Sequence, residues 1–454
     1  MKFRASLLLA IAILFSATAF SQQKDEIVVP SILKEVLENG QAYDNLRVLT
    51  KQIGHRLSGS KASEKTVIWA KAALLAAGAD SVWLQPVLVP KWTRGIEHLT
   101  VKQGKRTMKL AMTSLGNSEG TKGKLLNASI IYFEQLKDLE NADPKEVSGK
   151  IVYLNGPFPL DHPCTFDGYS EIGANRYRGP GIASKKGAIG YILRSLSTGV
   201  DDVPHTGVMF YGDAQNKIPS VALGNASADS LKSWLEKGEV TAQLQSDCGM
   251  KGEVMSYNII GELKGEDAGI ITIGGHHDSW DVGEGAQDDG AGCVQSIELI
   301  RVFKALKLKP KHTIRAVLFA NEENGARGGK TYADSAVSKK ERHIFALESD
   351  AGGFTPRGFS LEMDSEKKAL ISSWGELLLP FGIYDFSRAG GGVDISPLQK
   401  AFGTSLADLS PDSQRYFDLH HTTNDVFEAV NKRELELGAG AMAALIFLVD
   451  QHFE

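Results

Sequence analysis

The sequence is short of cysteine, of basic excess and of long apolar runs. Its 454 residues include three cysteines, Cys164, Cys248 and Cys293. Three thiols cannot build the disulfide framework of a small secreted scaffold, and their spacing is no zinc-finger pattern. Cys293 lies in "AGCVQSIELI", which reads as a buried helix. Cys164 with Cys248 is therefore the one disulfide that an oxidising compartment would favour. A net charge of −5 leaves no basic field for nucleic acid or for an anionic lipid surface. Past the first twenty-odd residues nothing is apolar enough to span a bilayer; "AMAALIFLVD" near the C-terminus has the length of a buried helix face.

The N-terminus has its own texture. Lys2 and Arg4 precede "SLLLAIAILF", followed by "SATAFSQQ". A positive start, an apolar run too short for a membrane span and small residues at a cleavage point describe a secretory signal over 1–21, cut after Ala19 or Ser21. No cysteine follows the run, which argues against a lipid anchor. The expected mature protein is exported, to the periplasm or outside the cell, and has no membrane segment of its own.

The mature chain is longer than one compact core usually carries, so at least two domains are expected. From 31 to 77 apolar residues recur at helical steps, and Gly78 ends the second helix. Residues 82–115 read as strands. From 120 to 248 short β runs such as "KIVYL" and "IPSVAL" alternate with "GPGIASKKGAIGYIL" and "ADSLKSWLEKG", as in a β-rich module inserted into the chain. Strict strand–helix alternation then follows: "IITIGG", "CVQSIELIRVFKAL", "TIRAVLFA", "GGKTYADSAV", "IFALES". The expected fold is α/β, a mixed, mostly parallel sheet flanked by helices, built from 22–119 and 249–454, with 120–248 as the insertion.

In such sheets ligands sit beyond the carboxyl ends of the strands, and the acidic clusters fall there. "HHDSWD" follows "IITI", "NEEN" follows "TIRAVLFA", and "ESDAGG" follows "HIFAL"; a fourth cluster, "DLHHTTND", precedes the C-terminal helix. One acidic loop is usually solvated surface. Three at one sheet edge offer His, Asp and Glu without Cys, which suits zinc or a similar divalent ion. His276 and Asp278 form an H-x-D pair on an extended segment, so the carboxylate is expected to hold the second ring nitrogen of a metal-bound imidazole. Asp288, in "DDGAG", is placed to bridge two metals. Glu322 and Glu323 are neighbours on what reads as an extended stretch. They therefore face different ways, one free to bind metal and the other to take a proton.

At these residues the sequence resembles the co-catalytic zinc exopeptidases, the family of bacterial leucyl aminopeptidases and glutamate carboxypeptidase. The resemblance also takes in "IGHRLSGS" (53–60), "VPKWTRGIEHLT" (89–100), "YRGPGIASKKGAIGYILRS" (177–195), "PHTG" (204–207) and "GGGVDISPL" (390–398). It implies two zinc ions per chain. His276, Asp288 (bridging), Glu323, Asp350 and His421 would be the ligands, Glu322 the general base, and Asp278 the residue that orients His276. It further implies an unusual peptide bond between Asp288 and Asp289, a protease-associated domain as the insertion, and dipeptide or short-peptide substrates. A homodimer is suggested in the same way. Glu348 competes with Asp350, and His420, beside His421, is placed to face substrate instead.

No ligand is missing, which argues against a catalytically inactive binding protein on this scaffold. Recognition of a substrate's ends is less defined. Arg178, Arg176 and Arg388 are candidates for a terminal carboxylate, and Asp394 for a free amine. A general aminopeptidase is thus the alternative to a dipeptidase or carboxypeptidase. His205, in "PHTG", is either a substrate contact or a satisfied loop histidine.

Overall fold

A computed structural model describes residues 23–453; the expected signal peptide, residues 1–21, lies outside them. One sheet has seven strands in the order Ser81–Thr93, Gly249–Leu263, His312–Phe319, Asp267–His276, Arg342–Glu348, Ser405–Pro411, Pro356–Glu362. The central four run parallel and the outer strands are antiparallel. That is the mixed, mostly parallel sheet expected, with fully buried Ile271, Ile273, Ala316, Leu318, Phe345 and Leu347 along its middle strands.

Helix Ala291–Ala305 packs on this sheet through Ile297, Ile300 and Phe303, while Val294 packs on its other side with Ala42 and Leu46; all four are at most 1% exposed. Each such side chain contributes roughly 1.5–3 kcal/mol of burial. Helix Lys432–His452 is buried on nearly every face from Leu435 to Asp450, the fate of a helix that is apolar all round. No described helix is long and apolar enough to cross a membrane.

The second sheet has eight strands in the order Arg106–Lys109, Glu97–Gln103, Thr241–Ser246, Leu126–Phe133, Ile151–Leu154, Gly190–Arg194, Ser220–Leu223, Met112–Ser114. Its first strands therefore lie at 97–114, upstream of the expected boundary at 120. The reason lies in the pairing: Glu97–Gln103 is hydrogen-bonded to Thr241–Ser246, at the far end of the same unit, so entry and exit strands close one sheet. This unit has separate cores, one around Leu99, Tyr153, Ile192 and Leu244 and one around Leu154, Tyr191 and Leu193.

The cysteines are all free. Cys248 is buried between Ser246 Oγ at 3.1 Å and the main-chain oxygen of Ser118 at 3.3 Å, and it packs with Trp92 and Trp280. Cys164 precedes helix Thr165–Tyr177. The expected Cys164–Cys248 disulfide does not form, because the two thiols belong to different packing environments.

Candidate metal centre

The parallel strands end in register, His276 beside Phe319 and Gly274 beside Glu348. The residues that follow each end, from His276, Glu322 and Ser349 onward, therefore project over one edge. The turn 286–290 adds Asp288, and its peptide bond to Asp289 is cis, as the resemblance implies. At Gly292 a Cβ would lie 1.8 Å from the main-chain oxygen of Ser349, so only glycine lets this turn approach the strand end.

Asp288 divides its carboxylate between two imidazoles. Oδ1 lies 3.2 Å from His276 Nε2, which is also 3.2 Å from Asp350 Oδ1. Oδ2 lies 3.1 Å from His421 Nε2, which is also 3.1 Å from Glu323 Oε2. Two donor sets result, His276–Asp350 and His421–Glu323, sharing Asp288. His276 Nε2 is buried without a hydrogen-bond partner, the mark of an atom intended for something other than protein. Nitrogen and carboxylate donors alone, with no thiolate, fit zinc or a similar divalent ion.

Two other groupings are geometrically open: Asp288–His420–His421 and His276–Asp289–Asp350. They are weaker. Asp289 already accepts from the main-chain nitrogens of His276 at 3.0 Å and Gly292 at 2.8 Å. His420 stands 3.6 Å from Asp288 Oδ2, further than His421, on which its ring stacks at 3.5 Å. Glu348 is engaged by the main-chain nitrogens of Asp394 and Ile395, while Asp350 Oδ1 lies against His276 Nε2, so Asp350 is the better donor.

The supports differ from expectation at Asp278. His276 Nδ1 lies 3.0 Å from the main-chain oxygen of Asp278, while its carboxylate is 3.8 Å away. That carboxylate instead accepts from the main-chain nitrogen of Glu322 and from Ser58 Oγ, both at 3.1 Å. Glu322 and Glu323 also lie on a single helical turn, Glu322–Gly325, not on an extended stretch, because Asn321 turns the chain through a left-handed conformation. The two acids still diverge: Glu323 Oε1 accepts from the main-chain nitrogen of Trp280 at 3.0 Å while Oε2 faces His421.

Burial raises the Glu322 carboxyl to about 8, with Asp350, Asp288 and Asp278 adding to burial and His276 opposing it. Burial also raises Glu348 to about 8. His276 moves the other way from most buried imidazoles. Burial disfavours its charged form, but Asp350 and Asp288 outweigh burial and raise it well above the ordinary value. An acid-rich buried centre of this kind is what a divalent cation neutralises.

Three supports carried no recognisable signal beyond lying in or beside segments the resemblance covers. Asp425 accepts from the main-chain nitrogens of Ala286, Gln287 and Asp288 and so holds the turn that presents Asp288. Arg56, fully buried, donates to the main-chain oxygens of His277, Glu284 and Gly285. Arg94 grips Asp281 with two bonds of 2.7 and 3.0 Å. For Asp425 and Arg56 the roles stay hidden because the bonds run to main-chain atoms that any sequence supplies.

The end-recognition candidates separate. Arg178 is exposed and paired with Glu140 at 3.0 Å, so it is a surface charge and not a substrate contact. Arg388 pairs with Asp167 at 2.7 Å. Arg176, by contrast, is 2% exposed. Asp394 is buried with neither carboxylate oxygen partnered. His205 is likewise buried with both ring nitrogens unpartnered, not the satisfied loop histidine.

Residues 258–446 match the sequence profile of peptidase family M28. Carboxypeptidase Q of Bos taurus is 30% identical over 445 residues, covering 96% of this chain and 92% of its own. The crystal structure of a peptidase M28 precursor from Shewanella amazonensis superposes with a TM-score of 0.91 at 34% identity, over 95% of this chain and 98% of that one. A zinc aminopeptidase from Bacillus subtilis shares the fold at a TM-score of 0.65 and 22% identity, over 90% and 94%. Similarity that runs through the whole described chain, and not only through its ligand motifs, makes this protein a member of peptidase family M28 and a metallo-exopeptidase.

Proposed function

We propose that the chain is a dizinc exopeptidase of dipeptides and other short peptides, exported by its N-terminal segment, with residues 97–246 acting as a protease-associated domain. The observation that carries this reading is the division of the Asp288 carboxylate between His276 and His421. His276, Asp350 and Asp288 would hold one ion, and His421, Glu323 and Asp288 the other. Bound there, the ions would supply Lewis acidity to the scissile carbonyl and ease the ionisation of water.

The chain's own residues do the rest. Glu322 takes a proton from the attacking water at its carboxylate and passes it to the leaving amine nitrogen. Its main chain is pinned by Asp278, so the carboxylate starts from a fixed point. Nδ1 of both imidazoles faces a main-chain oxygen, that of Asp278 or of Thr206. This arrangement leaves each Nε2 lone pair turned to the shared centre.

A general aminopeptidase is the second reading, and one observation favours it. The unpartnered carboxylate of Asp394 lies near Glu348 and Glu322 and offers an acceptor for a free amine. Zinc-loaded protein with a neutral free-ended dipeptide and its N-acetylated twin separates the readings. Release of amino acid from the free dipeptide alone means that the amine is read; release from both means that it is not. No release from either, with two zinc ions bound, would reject the exopeptidase reading.

A further inference from the structure

A cavity of about 300 Å³ opens at the other end of the seven-stranded sheet from the metal centre. Strand Arg342–Glu348 begins at this cavity and ends at Glu348, so a strand's length, about 20 Å, separates the two places. The volume is at the lower end of the roughly 300–1,000 Å³ range of small-molecule sites, room for one amino acid and not for a folded partner. Glu341, Arg342, His343, Lys367, Phe402 and Gly403 line it. Gly403 ends helix Ser396–Phe402 in a left-handed turn, φ +68°, and a Cβ there would meet nothing within 4 Å, so the protein leaves this side of the cavity unfilled.

Both signs of charge are present, and each has capacity to spare. The Glu341 carboxylate is anchored through one oxygen: Oε2 accepts from Arg315 Nη1 at 2.9 Å and from His343 Nε2 at 3.2 Å. These donors are fixed in turn, Arg315 by Glu262 and Tyr332 and His343 by Thr272. Oε1 has no hydrogen-bond partner among the described residues. Burial opposes the charge on Glu341, but His343 and Arg315 outweigh it and hold the carboxyl at about 2. Arg342 is exposed, and its guanidinium makes neither a hydrogen bond nor an ion pair among the described residues. Lys367 Nζ donates to Ser405 Oγ at 3.2 Å and lies 3.3 Å from Asp364 Oδ2. Phe402, half-buried, supplies an apolar wall, with its ring 5.6 Å from that of His343. A simple anion would be repelled by Glu341, and a simple cation by Arg342 and Lys367. A zwitterion satisfies both.

We propose that this cavity binds a free α-amino acid with an apolar side chain: its ammonium on Glu341 Oε1, its carboxylate on Arg342 with Lys367 beside it, and its side chain against Phe402. The exopeptidase reading enters only as the source of the ligand, because such an enzyme releases free amino acids next to its own second site. The binding itself needs no metal and no turnover.

The test is calorimetric titration of L-leucine, N-acetyl-L-leucine and L-leucinamide into zinc-loaded, full-length protein. L-leucine should bind saturably, and each blocked form roughly ten- to a hundredfold more weakly, the range of one charge-assisted bond. Arg342→Gln should weaken L-leucine binding by the same factor while the unfolding midpoint and the rate of dipeptide release stay as in the wild type. Glu341→Gln should erase the preference for L-leucine over its N-acetyl form. L-leucine affinity unchanged in Arg342→Gln would place the binding at the metal centre and overturn the proposal. N-acetyl-L-leucine bound as tightly as L-leucine would leave a plain anion site and overturn it too, as would no saturation by about 10 mM, tenfold past a millimolar Kd. A protein that releases nothing from dipeptides but still binds L-leucine through Arg342 would cost the exopeptidase reading and keep the cavity's.

Discussion

Thr206 and His421 hold each other from both sides. The Thr206 main-chain nitrogen donates to the His421 oxygen at 3.1 Å, and His421 Nδ1 donates to the Thr206 oxygen at 3.3 Å. Thr206 Oγ1 in turn accepts from Arg94, 3.3 Å away, which also binds Glu97, Thr113 and Asp281. Arg94 thus joins the second sheet unit to the loop that follows His276. Removing it would leave two half-buried carboxylates without their partner, so Arg94→Met should cost about 1–3 kcal/mol. It should also weaken retention of zinc on the His421 side. Thermal unfolding together with zinc content checks this, and unchanged values in both would refute it.

Glu322 and the ligand residues should respond differently to substitution. Glu322→Gln keeps the shape and the metals but should lose on the order of two to four decades of kcat. His276→Ala and Asp288→Ala should instead lower the zinc bound per chain, and Asp288→Ala should affect both ions. Metal analysis beside steady-state kinetics separates the two classes.

Chelation should destabilise the protein. Asp288, Glu323, Asp350 and Glu322 are gathered in one buried centre, and without a cation their mutual repulsion opposes folding. The unfolding midpoint should fall by several degrees with a chelator and recover with added zinc. A midpoint insensitive to chelation would argue that the centre is not loaded.

A pH effect far from the centre is expected at Glu436. Its side chain is 2% exposed, accepts from the main-chain nitrogen of Tyr43 at 3.1 Å, and is raised to about 7 by burial and by Glu298. A carboxyl whose folded pKa lies above its unfolded value favours the fold while protonated. That stability is complete below about pH 4 and is lost as pH rises through about 7. Glu436→Gln should remove the loss, so the variant gains up to about 3 kcal/mol on the wild type at pH 8 and nothing near pH 4. Denaturant unfolding at the two pH values is the measurement.

The thiols give a simple check. All three cysteines are free, so alkylation of denatured, unreduced protein should label Cys164, Cys248 and Cys293. A reductant should leave the unfolding midpoint unchanged. Two unlabelled thiols would restore the disulfide.

What the sequence made legible was whatever depends on periodicity and strand ends. The stripe Val294–Ile297–Ile300–Phe303 defines its helix unaided, and strand–helix alternation with acids after each strand locates His276, Glu322 and Asp350 at one edge. His421 needed the family resemblance, because it follows no strand and stands beside a second histidine, His420. Other features resist reading for physical reasons. Asp278 turned its carbonyl, not its carboxylate, to His276, a choice made by χ angles and main-chain direction. Arg176 and Arg178 differ by two residues along a helix, hence by opposite faces, and only packing tells which one is buried. The strands at 97–114 look like a continuation of 81–93 until the partner strand Thr241–Ser246 is known.

The 204–207 loop gives assembly an order. All five proposed ligands belong to the unit of the seven-stranded sheet, yet the imidazole of His421 is oriented by a carbonyl that arrives only when residues 97–246 have folded and docked. A chain with that unit excised would keep every donor atom and still present a lopsided centre, firm around His276 and loose around His421. Zinc occupancy at the second position is therefore a reporter of domain docking as much as of ligand chemistry.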